Sequence, residues 1–542
     1  MKRRINAWGF EGESFPPPKP MRTWLEERLG EAEPREPVDP AKIKAPEPRP
    51  VPELPGPVSR GREDRLLHSR GRGFSDLVRL RTGTLPALPD AVVRPADAAE
   101  VEAVLGICSR EGVRVIPWGG GTSVTGGVNT LPGPEPVVVL DLARLSKLSH
   151  LDTRSGLASF GAGILGPALE AALADHGLTL GHFPQSWELS TLGGWAATRS
   201  SGQESLGYGR IEDMVAGLEL VAPGGRLCLP ALPASAAGPD LRQLVLGSEG
   251  RLGVITEVTV RTSPRPAGRS VEALILPSWE DGIDGVRDLV LRGTPLHMIR
   301  LSDPSETQVA LAVGLGGHAW GPLAKGWLRL RGVGQGSCLL LCGAVGEEAK
   351  VKRTLERTRL RLKRQGAISL GESPGRRWLA DRFRHPYLRD GLFDLGIATE
   401  TLETAAPWSV LPKLYRAVRE AIASGLSDEE GEGEEAPVLC HVSHAYRDGA
   451  SLYFTFFFPC PSDPEEAIER WAVLKRAATE AIVRTRGTIS HHHGVGSWHA
   501  PWYPKEAGDA GLRVLAAAAR ELDPQGVLNP HVLLDPADRL EV

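Results

Sequence analysis

The stretch AVVRPADAAEVEAVLGICSREGVRVIPW (91–118) changes its hydrophobic period twice. A short apolar run gives way at Asp97, the expected N-cap, with Glu100 three residues on. Val101, Val104, Leu105 and Cys108 then fall at i, i+3, i+4 and i+7, which predicts a helix. VRVIPW follows as a strand, so a β–α–β unit opens directly into glycines. Farther along, CLLLCGAVG (338–346), VLCHVSHAY (438–446) and SLYFTFFFP (451–459) read as strands. PEEAIERWAVLKRAATEAIVRTRG (464–487) reads as a long amphipathic helix ending at Gly487. No repeat of fixed period is present.

Two stretches lack either period. Nine prolines between Pro34 and Pro57, interleaved with charges, predict an extended arm without helix or sheet. SDEEGEGEE (427–435) carries six carboxylates and two glycines, and such a run repels itself into a solvated, disordered loop. The 542 residues divide into an N-terminal segment with the proline arm (1–85), a first folded unit (86–267), a second unit containing the acidic loop at 427–436 (268–488), and a C-terminal segment (489–542).

Composition narrows the function classes. The formal charge of −4 gives no global reason to expect nucleic acid. Six cysteines without a CxxC pair suit free thiols in a reducing compartment. The basic N-terminus lacks an apolar region after it, so no secretory signal is expected, and no run of eighteen apolar residues predicts a membrane span.

The glycine-rich loops carry the most specific chemistry. In PWGGGTSVTGGVN (117–129), three adjacent glycines after a strand let backbone approach a ligand, and their N–H groups can hold a pyrophosphate. The spacing is neither GxGxxG into a helix nor a P-loop. Two further segments rich in small and hydroxyl residues follow, at 184–215 and 246–262. Together, in this order, the three resemble the FAD-binding domain of the vanillyl-alcohol oxidase/p-cresol methylhydroxylase superfamily. The resemblance implies an α+β chain: a two-subdomain FAD-binding domain plus a substrate (cap) domain built on an antiparallel sheet.

By that resemblance Pro117, Trp118, Gly119, Gly120, Gly121, Thr122 and Ser123 cradle the pyrophosphate. Pro184, Gln185, Ser186, Trp187, Glu188, Leu189 and Ser190, with Thr198, Arg199, Ser200 and Ser201, line the ribityl chain and the flavin ring. Glu249, Gly250, Arg251, Leu252, Gly253, Val254 and Ile255 complete the site. Thr122 stands where some members carry a histidine bonded to the flavin, so FAD is expected to be non-covalent.

The second half selects among reactions. SHHHGVG (490–496) places three histidines before a glycine turn. Consecutive side chains cannot all face one ion from a regular element, so only an irregular loop would let them share a metal. The FAD-dependent lactate/glycolate dehydrogenases carry motifs like HVGDGNLH and SGEHGIG; here HVSHAYRDGASLYFTF begins at His441, and Tyr453 stands near where their second histidine would be. Those departures, with WGF (8–10), GHFPQSWELSTLGGW (181–195), HMIRLSD (297–303), YLRD (387–390), LETAAPW (402–408) and ASLYFTF (450–456), resemble the alkyldihydroxyacetonephosphate (alkylglycerone-phosphate) synthase family over nearly the whole chain.

That resemblance implies exchange of the acyl group of acyl-dihydroxyacetone phosphate for a long-chain fatty alcohol in ether lipid biosynthesis, through a covalent flavin N5–substrate adduct. It assigns Tyr453 and His491, His492 and His493 to proton transfer, and Arg389, Arg300 and His182 to substrate binding. No metal is implied. Phe183 is apolar where an acidic residue is expected. Peripheral contact with a membrane surface, a cytoplasmic location and a possible homodimer are further expectations. An FAD-dependent 2-hydroxyacid dehydrogenase is the alternative reading, and a silent flavin- or lipid-carrier protein the third.

Overall fold

The computed structural model describes residues 2–316, 321–426 and 436–534. The acidic run at 427–435 lies outside the described residues. The helix Ala98–Glu111 starts where the pattern places it: the Asp97 carboxylate accepts the Glu100 amide at 2.9 Å, and Gly112 closes the helix at φ 67°. Its apolar stripe, Val101, Val104, Leu105 and Cys108, is buried against a small sheet. Strands Ala91–Val93, Val137–Asp141 and Arg114–Trp118 run parallel there, with Val58–Ser59 antiparallel at the edge. The last of the parallel strands delivers the chain into the glycine turn at 119–121.

A second, five-stranded antiparallel sheet follows, in the order Leu148–Asp152, Leu157–Gly161, Val254–Arg261, Val215–Ala222, Gly225–Leu229. The chain then builds a seven-stranded sheet in which every pairing is antiparallel: Ile368–Gly371, Gly268–Leu276, Cys338–Gly346, Met298–Ser302, Val438–Ala445, Gly449–Pro459, Ile397–Pro407. The architecture is the α+β arrangement of an FAD-binding unit with an antiparallel cap sheet.

Period-two alternation in three of these strands decides where the chemistry goes. Phe454, Phe456 and Phe458, with Leu402, Cys440 and Val442, point to one face and pack in a core shared with helices Leu411–Leu426 and Pro464–Thr485. The intervening residues point to the other face. There Glu403, Tyr453 and His441 stand side by side on adjacent strands, because Tyr453 pairs with both neighbours in register.

Three sequence expectations change in detail. The long helix ends at Thr485, with Arg486 in the left-handed conformation (φ 63°), one turn position before Gly487. The proline arm holds one turn of 3-10 helix, Pro40–Lys42, capped by Asp39. It is also anchored: Ile43 is buried with Ile5, Leu66 and Leu80, and Arg49 pairs with the buried Asp90. All six cysteines are free, four of them buried.

The apolar face of the cap sheet predicts a stability contrast. Phe454→Ala should destabilise the protein by about 3–5 kcal/mol through the cavity it leaves, whereas Thr455→Ser on the opposite face should stay within about 0.5 kcal/mol. Denaturant midpoints of the two variants check this; equal shifts would contradict the assignment of faces.

Candidate functional site

One cavity of about 1230 Å³ joins the two halves of the molecule. Its wall combines the glycine turn from Pro117 to Val124, the segment around Ser190, Thr198, Ser200 and Ser201, and Glu249, Gly250, Gly253 and Ile255 with the polar face of the cap sheet. Thr399, Thr401, His441, Tyr453, His492 and His493 line it from that side. Apolar side chains from helix Pro304–Leu315 and helix Gly321–Leu330, together with Met21, Leu392 and Phe457, line the rest.

The first wall suits a dinucleotide. A Cβ added at Gly120 would lie 1.8 Å from the Leu189 carbonyl oxygen, so only glycine lets the two loops close on each other. The amides of Gly120, Gly121 and Thr122 find no acceptor among the described residues and are available to an anion. Arg3 reaches the same turn, donating to the Gly120 carbonyl at 2.6 Å. The cradle, the free amides and the cavity volume fit FAD.

Of the residues proposed to hold the cofactor, Pro117 to Ser123, Pro184, Gln185, Ser186, Ser190, Thr198, Ser200, Ser201, Glu249, Gly250, Gly253 and Ile255 line the cavity. The others stand behind it. Trp187 stacks on Phe383 at 5.0 Å, Glu188 accepts from the Tyr387 hydroxyl, and Leu189 is packed with Trp8 and Tyr387. The Arg199 guanidinium turns to Gln243, Arg251 binds Asp523 and the Leu528 carbonyl, and Leu252 and Val254 belong to the cores beneath. These seven shape the loops without reaching the cavity, because backbone turns and strand alternation direct their side chains away.

The catalytic candidates divide in the same way. Tyr453 lies between two imidazoles, His441 stacked at 5.1 Å and His492 at 6.1 Å, with His493 edge-on at 5.7 Å. His491 is displaced from the wall: its Nδ1 meets Nδ1 of His492 at 2.9 Å and its Nε2 meets the Tyr446 hydroxyl at 2.6 Å. Arg389 lines the cavity with its Nε buried and unpartnered. It directly precedes Asp390, whose carboxylate joins two sequence motifs by accepting the Trp8 amide at 2.7 Å.

The other two substrate-binding candidates sit in already occupied surroundings. Arg300 lines the cavity, yet its charge is already committed, to Glu306 at 2.6 Å and to Nε2 of His441 at 2.8 Å. It orients His441 rather than presenting a free cation. His182 is buried behind the wall and bonds the cavity-lining Ser200 at 2.8 Å, so it supports the flavin-side loop. The negative charge that Phe183 lacks comes from buried Glu204, which pairs with Arg382 and Arg269, both packed over the Phe183 ring.

The residue that organises the histidines was not singled out from sequence. Glu403, almost fully buried, accepts the backbone amides of His491, His492 (3.1 Å) and His493 (2.9 Å) and the Ser490 hydroxyl (2.9 Å). Burial opposes its ionisation, but His492, His493, His491 and these N–H donors prevail and hold its carboxyl well below the usual range. Beyond the histidines, Glu249 accepts the amides of Val495 (2.7 Å) and Gly496 (2.9 Å). At Gly494 (φ 89°) a Cβ would come within 3.0 Å of that carboxylate. A sequence signal existed: IATETLETAAP puts Thr399, Glu400, Thr401, Glu403 and Thr404 into a strand buried at eight of its eleven positions, an unusual polar load for a buried strand.

Burial dominates the protonation states. It lowers His492 to about 3 and His493 to about 4, and holds His491 well below its ordinary value, so all three are neutral imidazoles at pH 7. The Tyr453 phenol is pushed up to about 12 by burial. Ring nitrogens of His444, His491 and His492 lie within 4.8 Å of one another, the spacing a metal ion would need. His491 and His492 meet in a hydrogen bond, while the His444 ring nitrogens are engaged with the Ser443 hydroxyl and the Gly202 carbonyl.

Comparison with known proteins agrees with this geometry. The FAD binding domain family matches residues 89–228, and the C-terminal domain of FAD linked oxidases matches residues 265–533. The alkyldihydroxyacetonephosphate synthase of Dictyostelium discoideum is 32% identical over 489 residues, covering 89% of this chain and 79% of that protein. That of Trypanosoma brucei brucei is 32% identical over 478 residues, covering 87% and 77%. A solved alkyldihydroxyacetonephosphate synthase structure superposes with a TM-score of 0.82 at 27% identity, covering 97% of this chain and 98% of that one. With its glycine cradle, cap sheet and histidine loop set in one continuous frame, the chain belongs to the FAD-dependent alkyldihydroxyacetonephosphate synthase family.

Proposed function

We propose that the protein is an alkylglycerone-phosphate synthase that exchanges the acyl group of acyl-dihydroxyacetone phosphate for a long-chain fatty alcohol, forming the ether bond of ether lipids. The observation that carries this reading is a single cavity in which Tyr453, His492, His493 and Arg389, whose Nε has no partner among the described residues, share a wall with the aliphatic lining from Met21, Val309, Val313 and Leu328. A phosphate ester and an alkyl chain need those two environments at once.

FAD, when bound in the glycine cradle of Pro117 to Ser123, would supply an electrophilic ring nitrogen and an electron sink. The chain's own residues supply the rest. A neutral imidazole, His492 or His493, receives the C1 proton, and the Glu403 carboxylate beside both rings (3.9 and 3.6 Å) stabilises the imidazolium as it forms. Tyr453, protonated at neutral pH, donates a hydrogen bond to oxygen at the reacting carbon. Arg389 holds the phosphate.

Long-chain substrates bring the protein to a membrane surface on the cytoplasmic side, as a peripheral partner. Among the described residues no helix is long and apolar enough to cross a membrane. Helix Gly321–Leu330 supports the surface contact: Leu323 (78% exposed), Trp327 (47%) and Leu330 (89%) face outward beside Lys325 and Arg329, while Ala324, Trp327 and Leu328 line the cavity.

The reading is tested by mixing the yellow protein anaerobically with palmitoyl-dihydroxyacetone phosphate and then hexadecanol. Transient flavin bleaching, fatty-acid release and an ether product are expected. Bleaching by a 2-hydroxy acid with no ether would make the protein a dehydrogenase. His493→Ala should lower turnover by about 10²-fold or more while retaining FAD; wild-type turnover in that variant would remove His493 from the mechanism.

The buried imidazoles also set a pH dependence. Their folded values lie below 6.5, so as pH falls from 6.5 towards 4 the unfolded chain binds protons that the folded chain refuses, and stability is lost. At pH 5 each of His492 and His493 should contribute a loss of about 2 kcal/mol. Denaturation midpoints at pH 7.5 and 5.0 should therefore draw closer together in the His492→Gln/His493→Gln double variant; an unchanged gap would show that the rings are not held neutral.

A further inference from the structure

His491 poses a question that the catalytic reading leaves open. It is buried, it does not line the cavity, and both its ring nitrogens are engaged. Its inner partner, His492, faces the cavity. Its outer partner, Tyr446, is only half-buried and precedes the exposed Arg447 and Asp448 at the end of strand Val438–Ala445. The backbone of His491 is fixed from two sides, its amide by Glu403 and its carbonyl by the Arg210 guanidinium at 2.8 Å.

We propose that His491 and Tyr446 form a proton relay between the cavity and bulk water, with Tyr446 a positioning residue that acts through His491 and touches neither substrate nor flavin. The inference rests on the reading of His492 as a base for the C1 proton. One set of tautomers satisfies every contact: His492 Nδ1–H donates to His491 Nδ1, His491 Nε2–H and the Ser201 hydroxyl donate to the Tyr446 oxygen, and the Tyr446 hydroxyl donates outward. His492 Nε2 then remains free to accept.

The transfer balances without a co-reactant. The C1–H bond breaks and an N–H bond forms on His492 Nε2, while the electron pair stays at C1. The Nδ1 proton of His492 passes to Nδ1 of His491, the Nε2 proton of His491 passes to Tyr446, and the hydroxyl proton of Tyr446 passes to water. Both imidazoles end neutral, in the opposite tautomer. The reverse sequence returns a proton to C1 after the alcohol has entered and resets both rings. The route avoids a lasting imidazolium at His491, which burial and the neighbouring His444, His492 and Arg210 all disfavour.

The relay makes C1 hydrogen exchange with solvent separable from ether formation. The holoenzyme is incubated with palmitoyl-dihydroxyacetone phosphate in D2O without alcohol, and deuterium at C1 is read by mass spectrometry; hexadecanol is then added in a parallel turnover assay. Tyr446→Phe, and His491→Gln as a second variant, should each slow exchange by about tenfold or more. Ether formation should fall by a smaller factor, with KM within about twofold and FAD retained. Exchange at the wild-type rate in both variants would overturn the relay. Stoichiometric zinc retained by the wild-type protein after dialysis, and lost in His491→Gln, would also overturn it, by making the histidines a metal centre. A wild-type protein that forms no ether at all would instead overturn the synthase reading, and the relay with it.

Discussion

Two buried carboxylates hold the site together. Glu403 receives three consecutive amides of the histidine run, and Glu249 receives two amides just beyond it. Glu403 belongs to the cap sheet and Glu249 to the flavin-binding wall. The segment 491–496 is thus fastened at one end to each half of the molecule, and the cavity between the halves is defined by that fastening. Each amide left without its acceptor would cost about 1–3 kcal/mol, so the loop has little freedom to leave its carboxylates. Three adjacent imidazoles become useful in this geometry. An irregular backbone pinned by one carboxylate turns His492 and His493 into the cavity and His491 away from it, a division that neither a strand nor a helix would give.

Much of the fold was legible because it depends on local rules. The Asp97 cap, the heptad-like stripe of helix Ala98–Glu111 and the alternation of SLYFTFFFP all express periodicities that burial then uses directly. The glycine turn was legible for a related reason: Gly120 is required where two backbones approach too closely for a side chain. What sequence could not reveal is lateral pairing. Glu403, Tyr453 and His441 are far apart in the chain and adjacent only through strand register. Glu403 therefore looked like one acidic residue among many, although the polar load of its buried strand set it apart.

The same limitation explains the residues whose roles changed. Arg300 and His182 sit in recognisable motifs, and a motif locates a residue without locating its partners. For Arg300 the decisive fact is Glu306, six residues on and capped into the next helix, which consumes the positive charge a phosphate would otherwise use. For His182 it is burial, since a ring lowered to about 3 beneath Ser200 neither meets a substrate nor titrates near neutrality. Arg389, by contrast, lines the cavity with an Nε that has no partner among the described residues, while its neighbour Asp390 accepts the Trp8 amide.

Electrostatics and burial act in concert at the reacting centre. Low solvent access pushes the Tyr453 phenol up and the imidazoles down, so the resting site carries few charges apart from Glu403, Glu306 and the arginines. A proton on His492 is opposed by burial and by His493 and Arg210, and the fixed Glu403 carboxylate 3.9 Å away offsets part of that cost. Preorganisation of this kind costs stability in advance, as the resistance of the buried rings to protonation makes plain, and it is recovered only when the substrate delivers its proton. A neutral, carboxylate-backed imidazole can accept the proton from carbon and later return it, as a reaction with no net redox change requires of its base.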